Sequence, residues 1–205
     1  MIASQPERGT TARRFLKKSN IAWVVAVVLV ALLAVYAFGG AGSSSTPSNT
    51  QTTSTAYNVA ASSVILAAAQ QYPAGYNTTS AGLLHSTYPG ERSAADAILS
   101  TSQSAANMTV LVFDTVNSSQ SYYRVFTSNV KGLVGYTDIS SVLSSYEHYG
   151  GCYAYGEDVD GIAVANGICT DGNVFLQAHL SSSEPFSQLE GDLSSLMGAM
   201  YQSVS

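Results

Sequence analysis

Residues 161–180 read GIAVANGICTDGNVFLQAHL, and their reading decides the fold. Residues 173–180 alternate: Val174, Leu176, Ala178 and Leu180 fall on one side, and Phe175, Gln177 and His179 on the other. That period of two is the signature of a half-buried strand. Residues 161–169 form a second strand, with Ile162, Val164 and Ile168 expected inward. Between them lies Asp171-Gly172, a dipeptide typical of tight hairpins, whose loop positions demand positive φ. Residues 152–155 add a third short strand, joined through residues 156–161, so an antiparallel meander is expected.

The neighbouring segments extend the pattern. After Pro185, apolar residues recur at Phe186, Leu189, Leu193, Leu196, Met197, Met200, Tyr201 and Val204, a helical stripe. The stripe carries no Lys or Arg, so packing on a sheet suits it better than lying on a membrane surface. Upstream, residues 108–114 (MTVLVFD) are rich in β-formers, and residues 95–101 can pair with them, although ADAILS suits a helix as well. A helix is expected from Asn117 or Ser118 to about Val130, burying Tyr122, Tyr123, Phe126 and Val130, and a short one over residues 139–146. An Ala-rich helix over residues 59–71 stops before Pro73. The order predicts an α+β domain with an antiparallel sheet packed by helices on one face; a ferredoxin-like topology is one arrangement of that kind.

The charges are segregated. Of eight Lys and Arg, five precede Ile21, and against Glu7 they give the stretch from Met1 to Phe38 a net +4. From Gly39 onward, Arg92, Arg124 and Lys131 stand against twelve acids, a net −9. Only 10% of the chain is charged, which excludes a coiled coil and a highly charged disordered chain, and the −9 portion disfavours nucleic acid as a partner.

Residues 21–38, IAWVVAVVLVALLAVYAF, hold no charge, Pro or Gly. As a helix they cover ~27 Å, about the thickness of a bilayer core. The basic residues of this end all precede the run, so the positive-inside rule predicts a cytoplasmic tail (1–20), a transmembrane helix (21–42) that contacts the lipid bilayer, and an extracytoplasmic domain (56–205). Cleavage near residues 35–41 is the alternative, but the run exceeds an ordinary signal-peptide core. Arg13-Arg14 resembles a twin-arginine signal with its spacing off by one. Residues 43–55, SSSTPSNTQTTST, have nothing apolar to bury and read as a flexible linker.

Exported context frames the next readings. Cys152 and Cys169 are the two cysteines, 17 apart, and are expected to form a disulfide. Asn77, Asn107 and Asn117 open N-x-Ser/Thr sequons and are candidate glycosylation sites. Thirteen tyrosines include Tyr146, Tyr149, Tyr153 and Tyr155 within ten residues, a candidate binding surface or, more plainly, cross-strand aromatic packing.

Catalytic motifs are missing. G-x-S-x-G, HExxH and Gly-x-x-x-x-Gly-Lys do not occur, and His85, His148 and His179 lack metal-ligand spacing. The acids Glu157, Asp158 and Asp160 give only a fragment of a calcium loop. No cofactor, metal or catalytic residue is therefore expected. The reading is a single-pass cell-membrane glycoprotein that presents a binding or assembly domain to a protein partner at the cell surface. An anchored hydrolase with an unrecognised site is the rival. A pilin-like subunit is a third reading, weakened because Lys18-Ser19-Asn20 before the apolar run lacks the Gly or Ala of a pilin leader.

Overall fold

The computed structural model describes residues 56–72, 77–84, 88–131 and 135–204. The expected tail, transmembrane helix and linker lie outside them. Among the described residues no helix is long and apolar enough to cross a membrane.

The fold is α+β. Among the described residues the seven strands are β1 (Asn77–Leu84), β2 (Glu91–Ser100), β3 (Ser104–Phe113), β4 (Thr137–Asp138), β5 (Cys152–Val159), β6 (Ile162–Asp171) and β7 (Val174–Ser182). They form one antiparallel sheet in the order β1-β2-β3-β7-β6-β5-β4. The described residues also form three helices, α1 (Ala61–Gln71), α2 (Val116–Lys131) and α3 (Phe186–Gln202), and a 3-10 helix at Ser140–Tyr149.

Two meanders, β1-β2-β3 and β4-β5-β6-β7, join edge to edge where β3 meets β7. This replaces the ferredoxin-like arrangement: tight turns connect β2 to β3, β5 to β6 and β6 to β7, so the split crossovers of that topology have no place. Helices also lie on both faces, not one. The connection from β3 must reach the far edge strand β4, so α2 crosses the sheet on the face opposite α1 and α3.

Both tight hairpins of the second meander carry Asp-Gly at the turn. Gly172 has φ 55°, and at the β5–β6 turn Asp160 (54°) and Gly161 (78°) both take positive φ. These two-residue turns fix the register. Counting five residues outward from the Asp171–Val174 pair sets Asn166 opposite His179. Counting seven from the Val159–Ile162 pair sets Cys152 opposite Cys169, and the disulfide joins them, Cα atoms 4.2 Å apart.

The main core lies between the sheet and α1 with α3. Val174, Leu176, Ala178 and Leu180 enter it as their alternation predicts, and Leu189, Leu193, Leu196, Met197 and Met200 meet them from α3. On β6 the inward residues are Ala163, Ala165 and Cys169 rather than Ile162, Val164 and Ile168. Small residues there let α3 approach closely: a Cβ on Gly167 would stand 3.0 Å from Leu193. Ile168 is fully buried on the second face instead. There α2 covers an aromatic cluster in which Tyr122 meets Phe175 edge-on at 4.7 Å and Phe126 lies 5.7 Å from Phe175. Thr115 caps this helix, its Oγ1 accepting the Ser118 N–H at 3.1 Å, two residues before the expected start.

Tyr57, near the first of the described residues, is tied down at four points. Its N–H donates to Asn173 Oδ1 (2.6 Å), its carbonyl accepts from Asn173 Nδ2 (3.2 Å) and Arg92 Nη2 (3.1 Å), and its hydroxyl donates to Asp171 (3.0 Å).

Candidate functional site

On the second face, beyond α2, the strand registers align a row of side chains: Ile98, Asn107, His179, Asn166 and Tyr155, one each from β2, β3, β7, β6 and β5. The next row toward α2 is Asp96, Thr109, Gln177, Ile168 and Tyr153. Neighbours across strands hold their Cβ atoms about 5 Å apart, so adjacent members of a row are within reach of one another.

Polar groups in such a setting need partners. Asn166, 5% exposed, has one: its Oδ1 stands 2.6 Å from His179 Nδ1. An amide oxygen can only accept, so the proton is on Nδ1. Burial lowers the His179 pKa from 6.5 to about 4, so the ring is neutral at pH 7 and its Nε2 carries a lone pair. Asn107 is 8% exposed, and its Oδ1 is buried with no hydrogen-bond partner. Burial also raises the Asp96 carboxyl above its usual range, against the pull of its own backbone N–H. Gly82 faces Asp96 on β1, where a Cβ would lie 3.7 Å from its Oδ1.

The tyrosines do not form one patch. Tyr146 lies on the core side, stacked on Tyr201 at 5.1 Å and donating to the Ser194 carbonyl. Tyr153 and Tyr155 are on the second face, 8% and 7% exposed. Strand alternation separates them from Tyr146, and the side chain of Tyr149 is outside the described residues. Tyr155 packs edge-on against exposed Tyr136 at 4.9 Å. Burial, then the charges of Tyr136, Tyr153 and Glu157, drive the Tyr155 pKa well up. Burial first, then the charge and hydrogen bond of Glu157, raises that of Tyr136. The Lys131 ammonium sits 4.7 Å from the centre of the Tyr153 ring.

The sequons separate as well. Asn117 is exposed in the first turn of α2. Asn107 is corrected: on a central strand and buried, it gives no room for a glycan in the folded domain. The side chains of Asn77 and His148, and all of His85, are outside the described residues. Among the described residues no three acids, histidines or cysteines group as a metal site.

The sequence reading missed the Asn107–His179–Asn166 row. Its signal was a polar residue inside each of three largely apolar strands, made meaningful only by register.

No protein-family profile and no curated protein matches this chain. Among solved structures, the extracellular domain of PknH from Mycobacterium tuberculosis is similar, with a TM-score of 0.48 and 10% identity over 63% of this chain and 86% of that one.

Proposed function

We propose that the chain is a single-pass surface protein, tail inside, whose extracytoplasmic domain binds a ligand or protein partner on the second face of its sheet. The observation that carries the reading is Asn107: a buried amide oxygen without a partner, beside a histidine with a free lone pair. A domain selected for stability alone has no use for such an atom, which costs about 1–3 kcal/mol of lost hydration. The disulfide and the Ser/Thr-rich linker suit an oxidising exterior, and the basic residues before the apolar run suit a cytoplasmic tail. A binding rather than catalytic role is part of the proposal.

The test is affinity capture of the intact protein from its own membranes, in parallel with an Asn107→Leu variant. The reading expects a component retained by the native protein and lost with the variant. Identical recoveries from both would remove the second face as the recognition surface.

A further inference from the structure

We propose that this face binds a primary ammonium group, held by the Asn107 side-chain oxygen, the His179 Nε2 and the Asp96 carboxylate, an inference that rests on reading the face as a recognition surface. The three acceptors come from three adjacent strands. His179 stands directly opposite Asn107, and Asp96 is opposite Thr109, one step along the same face of β3. Asn107 is the middle member: His179 is its direct partner on one side, and Asp96 is its diagonal neighbour on the other, about 7–8 Å away, so a guest seated on Asn107 lies between the other two side chains.

Each acceptor has capacity to spare among the described residues. Asn107 Oδ1 has no partner. His179 spends its proton on Asn166, at 2.6 Å from Nδ1. Nε2 is at the end of the ring away from the backbone, so with Nδ1 turned toward β6 its lone pair points out from the sheet on the β3 side. Asp96 accepts from its own backbone N–H and faces Gly82, which offers no side chain at all.

Charge and hydrogen-bond count select the guest. A primary ammonium brings three N–H donors and one positive charge, matching three acceptors and one carboxylate. Among the described residues the cations are placed elsewhere: Arg92 donates to the Tyr57 and Val59 carbonyls, Lys131 sits over Tyr153 at the far side of the face, and Arg124 is exposed on α2. A polyol could donate, but it carries no charge to answer Asp96, and it adds lone pairs to a site that already has too many. The net −9 beyond Phe38 raises the local concentration of cations.

The ammonium could belong to a free amine or to a lysine of a partner. Isotope-labelled full-length chain in detergent micelles, titrated with ethylammonium, tetraethylammonium, glycerol and a lysine-containing peptide, separates these. The readouts are the His179 ring and Asn107 side-chain amide resonances. Ethylammonium should shift both, while tetraethylammonium, with equal charge and no N–H, should not. Asn107→Leu should weaken binding about tenfold or more without lowering Tm, because it removes an amide that nothing satisfies. Asp96→Asn, which keeps the shape, should weaken binding comparably if the first variant misfolds. A peptide that binds more tightly than ethylammonium assigns the group to a partner's lysine; the reverse assigns it to a free amine.

Equal responses to both cations, an unchanged affinity in Asp96→Asn, or no shift with any amine overturns the ammonium assignment. A shift with glycerol alone overturns it and leaves the recognition reading standing. No shift with any probe, together with a lower Tm for Asn107→Leu, makes the row structural and removes both.

Discussion

His179 Nδ1 lies 2.6 Å from Asn166 Oδ1 across the β6–β7 pair, and this bond fixes the tautomer of a ring whose pKa burial lowers from 6.5 to about 4. The unfolded chain takes up a proton there as pH falls below 6.5, whereas the folded ring refuses it until about pH 4. Stability is therefore lost across that window, by up to about 3 kcal/mol. Asp96, whose carboxyl is raised, works in the opposite sense and offsets part of the loss. His179→Gln keeps an amide donor for Asn166 and does not titrate. Denaturant unfolding from pH 7 to pH 4 should fall more steeply for the native protein than for the variant; parallel curves would refute the assignment.

The disulfide closes a loop of 17 residues between directly paired strands. Restricting a loop of that size in the unfolded chain contributes roughly 3 kcal/mol. Replacing both cysteines with alanine should lower stability by about that amount while the far-ultraviolet spectrum stays unchanged, because the hairpin turn at Asp160-Gly161 still sets the register. Chemical denaturation checks it.

Asn173 is buried and its side chain makes three hydrogen bonds: one accepted from Tyr57, and two donated, to Tyr57 and Phe113. Asn173→Ala should cost about 2–4 kcal/mol. It should also release the segment at Tyr57, so brief proteolysis will cut there faster than in the native protein. Equal cutting rates would show that Arg92 and Asp171 suffice.

Gly150 is required by space. A Cβ there would run into the Thr170 backbone carbonyl, which no side-chain rotation can relieve. Gly150→Ala should destabilise by about 1–3 kcal/mol, read as a fall in Tm, whereas Gly191→Ala, with nothing within 4 Å, should not.

The sequence made the second meander legible because its information is local. Asp171-Gly172 lies in the chain beside the strands it aligns, and the alternation from Val174 to Leu180 assigns the core face directly. The α3 stripe is legible for the same reason. The Gly161–Cys169 strand was read from the size of its apolar residues, which named Ile162, Val164 and Ile168. The core instead takes Ala163 and Ala165, because helix packing selects small residues and the large ones pack on the second face. β1 went unseen because NTTSAGLL has neither alternation nor a β-rich run. The candidate site was half legible: the Asp-Gly turn alone pairs Asn166 with His179. Asn107 joins them only through β3–β7 pairing, which bridges a long span of chain and has no local signal.

The hold on Tyr57 decides how the domain answers a mechanical load. A pull delivered at Tyr57 acts on Asn173, Asp171 and Arg92 before it can reach α1. Two of these three sit at the turn of the central hairpin, and Asn173 is bonded to Phe113 at the end of the adjoining strand. A pull directed along the strands would load many ladder bonds together, in shear. A pull delivered at edge strand β1 would instead peel the sheet one bond at a time, so a load taken at Tyr57 meets the stiffer response.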